Sequence, residues 1–509
     1  MTILAIQKPS LARFSAILFS TFWALLTGCD NTSNTKEDAL LYSKFKVPAF
    51  NAAEIKPGGD TTVSIKPFAS LELPAANISK ELRPDFHAGK ALANQPWVKA
   101  PTVTFARDGL GPIYNARSCL MCHIKGGKGF MPNTSDIPLM GTLVRLSKPG
   151  SLTKTNKQAG VNPHPVYGDQ IQGQSISLAH QLRHSQKPGS LKHSVAPEAY
   201  VHVNWVEQTF TYPDTHQVRL RKPNVEFRNL GYGELGDDTL IGLRVAPSIA
   251  GMGLLELIPQ ADINALSDEQ GQNQDGISGR VNWVWDNKLR EMAAGRFGLK
   301  SNKATLDMTV AGAFTNDVGI TNSLAPNQPC TVKQTTCLAQ EDGNDDEGVE
   351  LPDHLLELVI NFNRNLAPVT RRQQNDESVR LGREVFYQTG CQQCHNPSFE
   401  TGGSESHPHL AKQTIWPYSD LLLHDMGSDL ADNRPDFQAS GSEWRTAPLW
   451  GVGILTEVNG NGALLHDGRA RSVEEAILWH GGEALNTKNR FVHLPKQKRQ
   501  SLLKFVNSL

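Results

Sequence analysis

The chain has 509 residues, of which 39% are hydrophobic and 20% are charged, so it is too long for one ordinary domain and has the composition of a soluble globular protein. Its 50 Lys and Arg residues nearly balance its 51 Asp and Glu residues, and the isoelectric point is about 7.0. This balance argues against nucleic acid or an anionic membrane surface as a partner, and leaves open a partner protein that docks through one locally charged face.

The first 28 residues have the order of a secretory signal peptide. Basic residues precede an apolar run over residues 14–26, which is too short and wrongly flanked for a stable membrane span. The run leads into Leu-Thr-Gly-Cys, which resembles the lipobox of bacterial lipoproteins and predicts Cys29 as the lipidated first residue. An uncleaved anchor, or a plain signal with an incidental cysteine, is the alternative. We expect an exported, periplasm-facing lipoprotein on the inner or outer membrane, with a tether and lead-in over residues 29–75.

The first motif that carries chemistry follows a predicted helix over residues 82–92. It consists of Cys119, Cys122 and His123 in the spacing C-x-x-C-H. In this motif the two thiols add across the vinyl groups of a haem, and the adjacent histidine becomes the proximal ligand of the iron. The motif therefore predicts a covalently bound haem c with His123 under the iron.

A second motif of the same kind comprises Cys391, Cys394 and His395. It follows a predicted helix over residues 378–387, which Gly390 ends just before the first thiol. Two C-x-x-C pairs could also form a four-cysteine zinc knot, and one pair alone could be a redox dithiol. The histidine after each pair favours two haem c groups.

The long section between the motifs predicts an insertion with short β-strands, such as residues 200–205 and 217–220. The predicted fold is mainly α, with two cytochrome c-like haem domains. We place the first, with its insertion, at residues 76–370 and the second at residues 371–509. Of the seven cysteines, the lipid site and the two motifs leave Cys330 and Cys337, which an exported compartment would allow to form a disulfide.

The sixth ligand of each iron decides between electron transfer and chemistry on a small molecule. For the second haem, a predicted helix begins at a Ser472 and Glu475 capping box and ends in two glycines, and it places His480 on its apolar face. The alternative for His480 is a buried histidine that bonds a carbonyl, or a cation at the helix end. Met426 is a rival ligand, and its alternative is ordinary core packing.

At this point the sequence resembles a family, the dihaem oxidoreductases of the peroxidase type once labelled thiol oxidoreductases. It is more distantly similar to bacterial dihaem cytochrome c peroxidases and to methylamine-utilisation dihaem enzymes. The stretches that carry the resemblance are residues 113–119, 165–170, 253–256, 275–280, 295–298, 422–427 and 465–483.

The resemblance implies roles for particular residues. His480 stands where the relatives carry the distal ligand of the C-terminal haem, which would then relay electrons. The relatives use a distal carboxylate at the other haem to move the peroxide proton, and Glu256, in an apolar run, is the candidate. A surface or salt-bridged glutamate is the alternative. No distal ligand of the first haem is evident from spacing, which leaves the sixth position of its iron open. The residues that could close this position instead are His164, Met131, Met140 and Met252.

Two weaker features complete the site predictions. Asp268, Asn273 and Asp275 have the oxygen-rich spacing of a calcium loop, and the relatives hold calcium between their haems. A turn without metal is equally consistent, because the glutamate that completes an EF-hand is absent. Trp205, Trp283 and Trp285 are candidates for electron relay between haems, or else core residues.

Together these features predict a dihaem c-type oxidoreductase of peroxidase-like function, and they favour an enzyme over a carrier. Its partners would be a small oxidant such as peroxide and a redox partner protein, with the membrane reached only through the lipid and no nucleic acid. The alternative is a non-catalytic periplasmic electron-transfer cytochrome, one that could serve iron handling. A thiol-oxidoreductase role is disfavoured, because the two spare cysteines are expected to be paired.

Overall fold

Short helices joined by long loops, with small two-stranded sheets between them, make up the described part of the chain. The computed structural model describes residues 45–64, 70–103, 107–137, 139, 141–154, 156–177, 195–460 and 462–509. The predicted signal peptide and Cys29 lie outside these residues. None of the described helices is both long and apolar enough to cross a membrane.

The helices in chain order are α1 (Arg83–Asn94), α2 (Cys119–Cys122), α3 (Met252–Glu256), α4 (Gln260–Asn264), α5 (Leu306–Ala313), α6 (Thr335–Leu338), α7 (Asp353–Arg364), α8 (Glu377–Thr389), α9 (Leu455–Asn459), α10 (Val473–Trp479), α11 (Leu485–His493) and α12 (Lys496–Val506). A π-helical turn, Phe314–Val318, directly continues α5.

The strands are β1 (Ile113–Tyr114), β2 (Thr142–Ser147), β3 (Gln174–Ser175), β4 (Tyr200–Thr211), β5 (Gln217–Arg228), β6 (Leu240–Val245), β7 (Trp283–Asp286), β8 (Glu291–Ala294), β9 (Phe399–Glu400), β10 (Thr414–Ile415), β11 (Leu423–Asp425) and β12 (Glu443–Arg445). They pair antiparallel as β1 with β3, β2 with β6, β4 with β5, β7 with β8, β9 with β10, and β11 with β12.

The predicted combination of helices with short strands between the motifs is confirmed in this coarse form. Both predicted strands exist and are longer than predicted, because β4 and β5 form a hairpin of 12 residues on each side. Residues 45–509 form one compact unit that contains both motifs. The boundary predicted at residue 370 stays a prediction.

The first layer of the core is formed where α1 crosses α7. Phe86 of α1 packs against Phe362 of α7, with ring centroids 5.3 Å apart. The helices approach so closely at Gly89 that a Cβ atom there would lie 1.9 Å from the carbonyl oxygen of Leu358. The same apolar cluster includes Leu120 of the first motif, so the α1 and α7 pair packs against that motif.

The second motif rests on α8, which packs along α12. Asp376 caps α8 by accepting from the amide of Ser378 at 2.7 Å, and Gly390 ends it with a left-handed φ of 90°, as predicted. Phe386 of α8 contacts Phe505 of α12 with ring centroids 5.4 Å apart. Since Cys391 follows Gly390 directly, the position of α8 determines where the second motif lies.

The closest point of this helix pair gives a prediction about stability. A Cβ atom at Gly382 would lie 1.9 Å from the carbonyl oxygen of Ser501. We expect Gly382→Ala to lower the free energy of unfolding by about 1–3 kcal/mol, because main chain cannot move aside as a side chain can. Chemical denaturation followed by far-UV circular dichroism measures this. Gly403→Ala is the matched control, since no atom lies within 4 Å of its Cβ position, and equal stability of the two variants would contradict the prediction.

Candidate functional site

One cavity of about 490 Å³ brings the two motifs together. Its wall includes the thiols and histidines of both motifs, namely Cys119, Cys122, His123, Cys391, Cys394 and His395. Most of the remaining wall is apolar, with side chains such as Leu143, Phe297, Val310, Phe386, Ile477 and Leu502. Such a cavity suits a large, flat, mainly apolar group bound next to each motif.

At the first motif, the structure orients His123 by a main-chain contact. The ring Nδ1 donates to the carbonyl oxygen of Pro247 at 2.7 Å, which leaves Nε2 for the cavity. Burial lowers the pKa of His123, so the neutral ring that a metal requires is favoured. Metal-ligating histidines ordinarily make such a hydrogen bond through the ring nitrogen that does not bind the metal.

The second motif repeats the arrangement. The Nδ1 of His395 donates to the carbonyl oxygen of Tyr418 at 2.9 Å, and burial lowers the pKa of the ring. Both histidines therefore direct Nε2 into the same cavity from separate parts of the chain.

The four motif thiols are held in a form that does not favour free thiolate chemistry. Burial raises the pKa of Cys119 to about 12 and that of Cys391 to about 11, and it also raises the pKa of Cys122 and Cys394. In the part of the chain that the structure describes, the four sulfur atoms do not gather into one metal-binding group. The zinc-knot and dithiol alternatives are therefore disfavoured.

Both candidate distal ligands of the second site, His480 and Met426, line the cavity. His480 directly follows α10, and its Nδ1 donates to the carbonyl oxygen of Ala476 at 2.7 Å. Burial, with a smaller contribution from the nearby His395, lowers the pKa of His480 to about 4. His480 is therefore a neutral ring on the cavity wall with Nε2 not used by this contact, and it lies near enough to His395 for the two rings to interact electrostatically.

The residues predicted to close the first site separate in the structure. Met252 lines the cavity. Met131 belongs to a different apolar cluster, and His164 is held by the carbonyl oxygen of Leu235 at 3.0 Å. Met140 lies outside the described residues.

The assignment of Glu256 as the distal carboxylate stays a prediction, which the contacts of its side chain make less favourable. One oxygen of Glu256 accepts from the amide of Leu306 at 3.1 Å, and the other pairs with Arg364 at 2.8 Å. The side chain is not part of the described cavity wall. The ion pair satisfies the charge that made this glutamate conspicuous in an apolar run, so the salt-bridged alternative is the arrangement found.

Asp317 is the one carboxylate among the described residues that line the cavity. It lies on the π-helical turn after α5, and its Oδ1 accepts from Nε2 of Gln170 at 2.9 Å. Its carbonyl oxygen accepts from the amides of Asn115 and Ala116, which lead into the first motif. Burial raises the pKa of Asp317 although Arg145 and Gln170 oppose the shift. The sequence signal was a polar Asn-Asp pair that interrupts an apolar helix. The structure shows that this pair lies on a π-helical turn, a feature often found at functional sites.

Among the described residues, four cations on the cavity wall have no carboxylate partner within 4 Å, namely Lys128, Lys303, Arg445 and Lys488. Burial lowers the pKa of Lys303, and nearby Arg145 adds to this effect. Arg445 donates from Nε to the carbonyl oxygen of Gly298 at 2.7 Å. A buried cation without a counter-ion is costly, so these groups are suited to the acidic substituents of a bound group.

Trp444 and Trp450 are the tryptophans among the described cavity-lining residues. The Trp444 ring stacks on His466 with centroids 3.6 Å apart and an interplanar angle of 9°. The three tryptophans proposed as relays lie elsewhere. Trp205 donates to the carbonyl oxygen of Pro132, Trp285 donates to Asn287, and Trp283 is 42% exposed.

A histidine held between two carboxylates lies beside the second motif, directly across the β11 and β12 pair from Trp444. The ring of His424 contacts the carboxylates of Asp420 at 2.8 Å and Glu483 at 2.6 Å, and lies 3.6 Å from the sulfur of Cys394. Burial alone would lower the pKa of His424, but Asp420 raises it well above the usual range. Both ring nitrogens of His424 therefore contact carboxylates. Cys394, Asp420 and His424 are nevertheless close enough together to hold a metal ion.

The loop predicted for calcium is closed by its own hydrogen bonds. The two carboxylate oxygens of Asp268 accept from the amides of Gln272 and Asn273, each at 2.8 Å. Those of Asp275 accept from the amide of Ile277 at 3.0 Å and from Gln393 of the second motif at 2.9 Å. These contacts order the turn and tie it to the second motif, and calcium at this turn stays a prediction.

The two cysteines outside the motifs form a bridge. The structure contains a disulfide between Cys330 and Cys337, which closes a small loop around α6.

Comparison with known proteins agrees with the site. The family model described as "Di-haem oxidoreductase, putative peroxidase" matches residues 52–509. The chain therefore belongs to this family, whose name implies two haem cofactors, and the paired motifs and shared cavity fit two such groups.

A search of curated proteins found no match. Among solved structures, hydrazine synthase of Kuenenia stuttgartiensis pressurised with 20 bar xenon is similar at 18% identity and a TM-score of 0.22. The similar region covers 36% of this chain and 63% of that one, and a likeness of this extent carries no argument about function.

The cavity gives a prediction about the ligand of the second haem. We expect His480→Ala to convert one haem of the holoprotein from a low-spin to a high-spin spectrum, because the oriented Nε2 is removed. Met426→Leu is the matched control and should leave both haem spectra unchanged. Electron paramagnetic resonance measures both variants. A changed spectrum in the Met426 variant with an unchanged one in the His480 variant would assign the methionine instead.

Proposed function

We propose that the chain is a dihaem c-type oxidoreductase of peroxidase-like activity, in which the haem at His395 relays electrons to the haem at His123. The observation that carries the proposal is the single cavity that holds both motifs, with Asp317 near the first and His480 near the second. Haem c supplies iron that accepts and donates single electrons. The binding of the haem groups and the movement of protons fall on residues of this chain.

Covalent attachment is part of the proposal. The four thiols and the two histidines occupy one cavity wall, and the raised pKa of each thiol disfavours competing thiolate chemistry. The cations Lys303 and Arg445 fit the carboxylates that a haem carries. Haem that remains with the chain after denaturation is the direct test of attachment.

The reduction of hydrogen peroxide to two water molecules consumes two electrons and two protons. The electrons would come from a redox partner protein. Asp317 is suited to the protons, because a buried carboxyl with a raised pKa exchanges a proton closer to neutral pH than an ordinary aspartate does. Gln170 holds one oxygen of this carboxyl, which leaves the other for a small molecule in the cavity.

Electron transfer between the sites has a contiguous route of contacts. His424 lies beside Cys394 and pairs across β11 and β12 with Trp444, whose ring stacks on His466. The carbonyl oxygen of His466 accepts from the amide of Val245, two residues before Pro247. We propose this route in place of the three tryptophans that the sequence favoured.

The competing function is a non-catalytic electron carrier. It requires both irons to be permanently six-coordinate, and Met252 is the described candidate that could close the first site. Low-spin iron at both sites, even after partial reduction, would favour the carrier. A high-spin site that vanishes when cyanide is added would favour the enzyme.

We further propose that the protein faces the periplasm and is anchored through a lipid on Cys29, in keeping with the order of the first 28 residues. Fatty-acid labelling that is lost in Cys29→Ala is the test. Calcium in the loop of Asp268 and Asp275 stays a prediction, to which the hydrogen-bonded turn offers a sufficient alternative.

The role of Asp317 gives a prediction about activity. We expect Asp317→Asn to lower the rate of peroxide reduction by about 10²-fold or more at unchanged haem content, the usual scale for loss of a general acid or base. In the parent protein the rate should fall as pH drops through the raised pKa of this carboxyl, because only the ionised form accepts a proton. That limb should vanish in the variant.

The matched control is Glu256→Gln, assayed by stopped-flow spectroscopy under the same conditions. It should keep the parent rate within a few fold, because Glu256 lies behind the cavity wall in its pair with Arg364. A large loss with Glu256→Gln and none with Asp317→Asn would return the catalytic role to Glu256.

A further inference from the structure

A glutamate from the start of the described chain is buried beside the second motif. Glu54 is 0% exposed and lies on a 3₁₀ turn, Ala52–Ile55, within the range predicted as tether and lead-in. It contacts Tyr418, a residue 364 positions later in the sequence. A charged group is rarely removed completely from water unless its partners compensate it.

The side-chain partners of Glu54 are two arginines and one tyrosine, and the amide of Asn51 also donates to Oε1 at 3.3 Å. Arg371 donates to Oε2 at 2.9 Å, and Arg383 donates to Oε2 at 3.0 Å and to Oε1 at 2.6 Å. The hydroxyl of Tyr418 donates to Oε2 at 3.2 Å. Both arginines are buried, so this enclosed cluster contains two positive charges and one negative charge.

Tyr418 is the residue through which this group reaches the second motif. Its φ of 52° is left-handed, a conformation that a tyrosine adopts only at an energetic cost and that its surroundings must maintain. Its ring is enclosed by Phe386 and Phe505, with centroids 5.6 Å and 5.9 Å away. Its carbonyl oxygen accepts the hydrogen bond from Nδ1 of His395 at 2.9 Å.

Each end of Tyr418 therefore has a separate task. The hydroxyl is held by the buried glutamate, and the carbonyl orients the proximal histidine. The strength and direction of that second contact determine how strongly the imidazole donates to iron. A change at the hydroxyl would shift the position of the carbonyl oxygen, because the ring is too tightly packed to adjust alone.

We infer that Glu54 is a positioning residue of the second haem, which acts through Tyr418 on the orientation and basicity of His395. The inference rests on the proposed function, because it requires haem iron at His395. It makes residues 51–55 part of the haem site instead of part of the tether.

The test is a redox titration of both haems in the holoprotein, with electron paramagnetic resonance of the oxidised form. Glu54→Gln should favour the reduced form of the second haem for two reasons with the same sign. It leaves the arginine charges less compensated, and it weakens the hold on the carbonyl that makes His395 a strong donor. The equilibrium should shift about tenfold, which is about 59 mV for one electron, while the first haem stays unchanged.

Tyr418→Phe is the conservative second variant, because it removes only the hydroxyl and keeps every charge. It should change the g values of the second haem and shift its potential in the same direction by a smaller amount. Should Glu54→Gln fail to fold, this variant decides the matter by itself. Glu350→Gln is the matched control, since Glu350 is also buried but bonds to Thr321 and Gln328, away from the cavity.

Unchanged g values and potential of the second haem in the folded variants would overturn the inference, as would an equal shift of both haems. The outcome is separable from the proposed activity. A parent protein that fails to reduce peroxide while Glu54→Gln shifts the second haem refutes the activity and supports the inference. A parent protein that reduces peroxide, with a second haem unchanged in Glu54→Gln and Tyr418→Phe, supports the activity and refutes the inference.

Discussion

Three histidines face the cavity with the same constraint, a hydrogen bond from Nδ1 to a main-chain carbonyl. Pro247, Tyr418 and Ala476 provide the carbonyls. Each contact fixes the rotation of a ring and reserves Nε2 for the cavity, so the positions of these three carbonyls largely determine what the site can bind. Much of the surrounding fold can be understood as support for them.

That support comes from different kinds of structure. The carbonyl of Ala476 belongs to helix α10, where ordinary helix geometry places it four residues before His480. The carbonyl of Pro247 follows β6, whose pairing with β2 fixes its course. The carbonyl of Tyr418 lies on irregular chain with a left-handed φ, and it depends on distant side chains for its position. The carbonyl on the least regular chain segment is thus the one that relies most on packing by distant side chains.

The local features of the site were accessible from the sequence. The two motifs, α8 with its glycine end and the helix that presents His480 depend on spacing and capping, which are properties of short segments. The strands β4 and β5 were found for the same reason. The family match over residues 52–509 agrees with the resemblance that the motifs carried.

The features that the sequence did not reveal depend on pairs of residues far apart in the chain. Glu256 looked like an unpaired charge until the structure placed Arg364 beside it. Asp317 gave little signal, because its significance comes from the cavity and not from its neighbours in sequence. The burial of Glu54 follows from arginines more than 300 positions away. No periodicity or capping pattern encodes such partners.

The surroundings of Trp444 have a consequence for how oxidising equivalents travel. Arg244 lies 4.5 Å and Lys300 4.2 Å from the centre of its ring, and both cations share the single carboxylate of Asp432. Positive charge over an aromatic face stabilises the electron-rich neutral ring and penalises the loss of an electron from it. Trp444 is therefore poorly suited to hold a radical, and an electron that passes this point would do so without resting there. A protein exposed to a strong oxidant would in this way keep damage out of its own core.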